Sequence, residues 1–144
     1  MDGERTRRFK IGLSAEFEFL HLLKEHKIIG WHLRSCGDLI IRTPFGRSFA
    51  VDVKVVSTTK RNTTSYSRVY FRKEGTENFL KLCTVFNFEP ILALKHEGNW
   101  YISYAVPTNF EGVKKHGTTI MFKRLNPIPL EKWLMEVSQN DGGH

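Results

Sequence analysis

Two apolar, β-branched runs stand at the centre of the chain, one over positions 37–42 (Gly-Asp-Leu-Ile-Ile-Arg) and one over 48–56 (Ser-Phe-Ala-Val-Asp-Val-Lys-Val-Val). Between them lies a short segment holding Pro44 and Gly46, so the pair predicts a β-hairpin. Side chains on a strand alternate between faces, which places Val51, Val53 and Val55 on one side and Asp52 and Lys54 on the other. With the turn centred at Phe45, antiparallel pairing sets Arg42 beside Ser48, Ile40 beside Ala50, and Asp38 across from Asp52. The second run is apolar at nearly every other position and predicts a largely buried, central strand. Charges are rare in such a strand unless paired or functional.

Upstream the period changes to that of a helix over 12–28. At 100° per residue, Leu13, Phe17, Phe19, Leu20, Leu22, Leu23 and Ile28 form a broad apolar arc, and Glu18, His21 and Glu25 fall opposite. Glu16 lies inside the arc, near Leu20 and Leu23, where an unpaired carboxylate costs several kcal/mol. Two explanations stand: a functional acid, or a buried ion pair with a core arginine. Gly30 suits a left-handed helix end, and 31–35 predicts the first strand.

After the hairpin, 57–67 is polar and basic, with Lys60 and Arg61 among threonines and serines; Arg68 follows, and then a strand over 69–72 that ends in Arg72. This basic loop reads either as a mobile surface segment or as a contact to phosphates and sugars, for which hydroxyls mixed with Lys, Arg and Tyr are suited; its middle is expected to be disordered without a ligand. Thr76 is placed to cap a helix running to Phe88 that buries Phe79, Leu80, Leu82, Cys83 and Phe86. Strands are expected over 90–95, 100–106 (after a turn at Gly98-Asn99) and 118–122. A short helix over 130–137 turns Trp133 inward, and the tail 139–144 frays.

A chain of 144 residues with 40% hydrophobic and 12% aromatic content fits one globular domain, 1–144, with a real core. The formal net charge of +7 favours a polyanionic partner, nucleic acid before membrane. The segment 1–10 carries Arg5, Arg7, Arg8 and Lys10, and is either a solvated tail or an arm lying on phosphates. Cys36 and Cys83 show neither a disulfide framework nor metal spacing, which fits a reducing, cytoplasmic setting. No signal peptide or bilayer-spanning run is expected. The six histidines lack ligand spacing and are expected to be structural or exposed.

Asp38, Asp52 and Lys54 converging on one side of a hairpin call for a compensating cation, since like charges directly opposite repel. A hard divalent metal held by carboxylates, a backbone carbonyl and waters is the obvious candidate. These residues resemble the Asp…(Asp/Glu)-x-Lys signature of the PD-(D/E)XK nuclease superfamily. Within it, positions 12–56 look most like the archaeal-type Holliday junction resolvases: a glycine-led helix carrying a glutamate (Gly12, Glu16), an Arg-Ser pair on the next strand (Arg34, Ser35), then Asp38 and Asp52-Val53-Lys54. Asp52 stands where glutamate is commoner, and Phe17 where a basic residue is often found.

The resemblance implies an α/β (α+β) restriction-endonuclease-like core, a central mixed β-sheet flanked by helices. It implies Glu16, Asp38, Asp52 and Lys54 as the catalytic set, with Mg²⁺, or Mn²⁺ in its place, on Asp38, Asp52, the Val53 carbonyl and Glu16. DNA contacts are expected from Arg7, Arg8, Lys10, Arg34, Ser35, Lys60, Arg61, Arg68 and Arg72. The implied activity is phosphodiester hydrolysis at four-way junctions by a homodimer, without a small-molecule cofactor. A restriction-type or homing endonuclease on the same core, or a DNA-binding domain with a decayed nuclease site, are the alternatives.

Overall fold

The computed structural model describes residues 2–33, 38–110 and 116–139, with the side chains of residues 2–9 and of Asp38 excepted. Arg34, Ser35, Cys36 and the expected frayed tail beyond Gln139 lie outside the described residues. Helix α1 (Asp2–Lys24) leads into β1 (Ile29–Leu33), β2 (Asp38–Arg42) and β3 (Ser48–Val55). Strands β4 (Ser57–Arg61) and β5 (Thr64–Arg72), helix α2 (Lys73–Phe86), β6 (Glu89–His96) and β7 (Asn99–Ser103) follow. The chain continues through β8 (Gly117–Met121), a 3-10 turn (Phe122–Leu125), β9 (Ile128–Pro129) and α3 (Leu130–Ser138).

Six strands form one sheet in the order β1-β2-β3-β6-β7-β9, and β4-β5-β8 form a second. The main sheet is mixed: β3 and β6 run parallel, from Phe49 beside Glu89 to Val55 beside Lys95, and the other pairs are antiparallel. Parallel neighbours need a crossover, which β4, β5 and α2 supply. Both faces of β3 are therefore covered. On one, Phe49 and Val51 pack with Ala15, Phe19 and Leu23 of α1 and Trp133 and Leu134 of α3. On the other, Ala50 joins Leu92, Leu94, Phe71, Phe79 and Cys83. Trp133 is fully buried, as its helical phase requires, and its Nε1 donates to the Tyr104 hydroxyl at 2.8 Å.

Several expected boundaries move, each for a local reason. Helix α1 starts at Asp2 rather than 12, so the basic 1–10 segment is helical from its second residue. It ends at Lys24, and Lys27 takes the left-handed conformation (φ 60°). Gly30 is not the helix end but lies in β1, where a Cβ would collide with Leu20 Cδ2 and come within 3.1 Å of Ile41 Cγ2. The glycine lets α1 sit close on the sheet edge, and the strand starts two residues before its expected position. Phe17, placed in the apolar arc by its phase, is exposed and stacks on His32 with ring centres 5.7 Å apart. Val55 and Phe86 are likewise exposed, at the ends of β3 and α2 where packing runs out.

The basic loop is a hairpin. Ser57 to Arg61 pair with Thr64 to Arg68, and Asn62 turns the chain at φ 57°. Alternating hydroxyl and longer side chains, many of them β-branched threonines, suit two exposed strands. The turn between β6 and β7 is made by Glu97 and Gly98 (φ 51° and 81°), one residue earlier than expected. Helix α2 begins at Lys73, which leaves Thr76 buried within its first turn instead of capping it.

Candidate active site

The hairpin register matches the sequence expectation step for step: Arg42 with Ser48, Ile40 with Ala50, and Leu39 with Val51. The β2–β3 pairing ends there, one residue short of Asp38 and Asp52. On its other side Asp38 pairs with Leu33 at the end of β1. Beyond Val51, β3 continues without β2 and is held by β6 alone through Val55. Backbone carbonyls along 52–55 that point away from β6 have no β2 partner, and Val53 lies within this stretch.

Asp52 and Lys54 share a face of β3, their Oδ2 and Nζ atoms 3.5 Å apart. The Asp52 side chain is only 13% exposed. Burial pushes its pKa above the ordinary carboxylate value, and the neighbouring Lys54 charge opposes that shift without cancelling it. Lys54 is itself seated: its Nζ lies 5.5 Å from the centre of the buried Phe71 ring of β5. A ring face under an ammonium attracts it electrostatically, so the second sheet fixes the lysine that the first sheet carries.

Glu16 comes from α1 and points inward, as the helical phase requires. Its Oε2 shares a hydrogen bond of 2.5 Å with His32 Nε2 of β1. The partner that keeps this carboxylate in the protein is thus a histidine, not the core arginine weighed as the bland explanation. Burial raises the Glu16 pKa; His32 pulls it down, Asp52 pushes it up and Lys54 pulls it down, with a net rise. The Asp52 and Lys54 charges are the smallest of these influences. Glu18 is spent elsewhere, 2.5 Å from Lys95 Nζ on the surface.

His32 was hidden from sequence reasoning. In β1, Ile29 and Trp31 are exposed, so Gly30 and His32 turn to the α1 side. A strand expected over 31–35 carries the right parity, but nothing in the spacing of histidines links His32 to Glu16. Contact across an element boundary, not periodicity, made that pair.

The expected DNA contacts divide between faces. Arg61, Arg68 and Arg72 are exposed, and alternation sets them with Tyr66 and Tyr70 on the outer face of the β4–β5 pair. The Arg68 guanidinium lies 5.6 Å from the Tyr66 ring centre. Lys60 pairs with Ser65 on the inner face. Lys10 is exposed on α1, and Arg7 and Arg8 fall in its first turns, where side chains are outside the described set.

As to the proposed metal, the donor chemistry fits. Asp52 and Glu16 are partly buried carboxylates, and oxygen donors of this kind suit Mg²⁺ or Mn²⁺, although the described residues alone form no cluster of three or more such ligands.

A mixed central sheet with helices on its faces, and an acidic-x-Lys strand at its centre, define a restriction-endonuclease-like fold. The solved structure of Hjc from Archaeoglobus fulgidus, a Holliday junction resolvase from an archaeal hyperthermophile, shares it. The TM-score is 0.61 at 16% identity, over 86% of this chain and 95% of that one. No protein-family model and no curated protein matches the chain in sequence. No helix among the described residues is long and apolar enough to cross a membrane.

Proposed function

We propose that this protein is a metal-dependent, structure-selective DNA endonuclease that resolves four-way junctions by paired phosphodiester hydrolysis, working as a homodimer. The observation that carries the reading is the Asp52–Lys54 pair on the central strand β3, a pair that starts one residue past the last paired position of the β2–β3 hairpin. Glu16 enters from α1, held by His32. The shared fold with a protein described as a Holliday junction resolvase supports the substrate class.

In this reading Asp38, Asp52, Glu16 and the Val53 carbonyl hold Mg²⁺. When bound, the ion polarises the scissile phosphate and lowers the pKa of a coordinated water. Lys54, seated on Phe71, orients the attacking water and offsets the charge that develops on the phosphoryl oxygens. Asp52 fixes the lysine beside it, and His32 holds Glu16 toward the reacting phosphate. Two-fold symmetry provides a second site for the opposing strand. The basic, aromatic outer face of β4–β5, with Arg61, Arg68 and Arg72, and the α1 residues Arg7, Arg8 and Lys10 supply phosphate contacts, and the sequence resemblance adds Arg34 and Ser35 to them.

The test is cleavage of matched four-way junction, linear duplex and flap substrates with Mg²⁺. Preference for the junction is the expected result. Equal cutting of linear duplex at one sequence favours a sequence-reading endonuclease, and no cutting of any substrate leaves only DNA binding on this fold.

A further inference from the structure

A second polar constellation lies on the face of the three-stranded sheet that turns Phe71 toward Lys54, outside the site described above. The inner face of the β4–β5 pair carries Thr58, Lys60, Ser65 and Ser67, because Thr58 pairs with Ser67 and Lys60 with Ser65. Further along β5 the same face carries Val69 and Phe71, and Phe71 is the ring beneath Lys54. A cavity of about 220 Å³ opens between Ser65 and Ser67 on one side and Met121, Phe122 and Lys123 on the other.

One of the lining hydroxyls is held in place. Ser67 Oγ lies 2.9 Å from His96 Nε2 and 3.2 Å from Thr58 Oγ1. His96 in turn is packed between rings, 4.5 Å from Phe122 and 6.4 Å from Tyr101, so the imidazole fixes the serine instead of following it. With Nε2 protonated, His96 donates to Ser67, and the serine proton points into the cavity when Thr58 is the donor of their shared hydrogen bond. Lys123 contributes a positive charge to the lining, and Lys60 stands on the same face one strand away. Glu97 Oε1 lies 3.8 Å from His96 Nε2; at 71% exposure its charge is largely screened by water. Oriented hydroxyls and lysines around a cavity of this size suit a tetrahedral oxyanion.

We propose that this cavity is a second phosphate site, in which Ser65, Ser67 and Lys123, with Lys60 at its edge, grip the DNA backbone away from the scissile position. The inference rests on the DNA-cleaving reading and deepens it. Ser67 and Phe71 are four residues apart on one strand, about 13 Å at the usual rise, so the site engages a phosphate further along the same backbone, not the one being cut. Its role is to set the register of the strand over Lys54, because phosphate contacts position a duplex without reading its sequence.

The experiment measures four-way-junction binding in EDTA, so that no cleavage occurs, over a range of salt. Lys123→Gln and the double variant Ser65→Ala/Ser67→Ala are compared with Lys132→Gln, which removes the same charge from the exposed side of α3. Lys123→Gln is expected to weaken binding about tenfold and to lower the salt slope by about 0.9, and the serine variant to weaken it several-fold with the slope retained. A scan with single methylphosphonate substitutions should find one position that weakens the wild type and leaves Lys123→Gln unaffected. Unchanged binding in both variants, or an equal loss in Lys132→Gln, overturns the second site and leaves the nuclease reading standing. A wild-type protein that binds no DNA overturns both.

Discussion

Asp52→Asn is expected to abolish cleavage and yet make the metal-free protein more stable at neutral pH. Two effects compete. Asp52 and Lys54 attract at 3.5 Å, a gross interaction of about 5 kcal/mol at an effective dielectric of 20. Stripping water from a carboxylate that is 13% exposed opposes it. The Asp52 pKa is raised despite Lys54, so burial wins, and the ionised form is net unfavourable in the fold. The sign of the linkage follows. The folded protein holds the Asp52 proton to a higher pH than the unfolded chain, so stability falls as pH rises from about 4 through the folded pKa, then levels. The amide that replaces the carboxylate in the variant is neutral throughout and escapes that loss. Each kcal/mol relieved raises Tm by about 3 °C for 144 residues, so a higher Tm is expected in EDTA at pH 7, the difference shrinking toward pH 4. The assay is thermal unfolding of both proteins across pH, with and without Mg²⁺. Saturating Mg²⁺ should raise the wild-type Tm, by about 2.7 kcal/mol of binding linkage at a hundredfold excess over Kd, and leave the variant unmoved. If Lys54 depends on Asp52 for its stability, the variant instead loses about 3–5 kcal/mol, or roughly 10–15 °C. A fall of that size in EDTA would refute the reasoning.

Other substitutions probe the remaining parts of the site. Glu16→Gln should cripple metal-dependent cleavage, while Glu18→Gln, which loses only the surface contact to Lys95, should change the rate by less than about tenfold, roughly 1.4 kcal/mol in barrier; equal losses would contradict the helical phase. His32→Leu should lower kcat with Glu16 left unsupported, and His32→Gln, which restores a donor, should recover part of it; identical rates for the two would remove the positioning role. Gly117→Ala drives a Cβ into the Phe71 carbonyl oxygen, so it should separate β8 from β5 and cost about 1–3 kcal/mol, read as a lower Tm with weakened cleavage because Phe71 supports Lys54.

Legibility in the sequence followed the range of the interactions involved. The hairpin register was readable because a turn with Pro44 and Gly46 and two period-two runs determine it locally, and Glu16 was readable because a carboxylate in an apolar helical arc has no local explanation. The parallel pairing of β3 with β6 was not, since nothing near Val51 signals Ile91, 40 residues on. Over 57–67 the β4–β5 pair reads as a loop, with a strand only over 69–72, because both strands are polar on their exposed positions, leaving no apolar period over 57–64; its inner apolar positions, Val69 and Phe71, come only near its end. His32 and Phe71, the side chains that hold Glu16 and Lys54, were invisible for the same reason. Each acts across an interface between elements whose packing, not spacing, brings them together.

The central claim is that two symmetric sites cut a DNA shape and not a sequence. Mapping cut positions at nucleotide resolution tests it most directly, on four-way junctions built from several unrelated arm sequences and on linear duplexes carrying the same sequences. The account predicts paired cuts, symmetric about the crossover in opposing strands, at the same distance from it whatever the arms, and far slower cutting of the linear DNA. Cleavage confined to one sequence, and as efficient in linear duplex as in the junction, would contradict it.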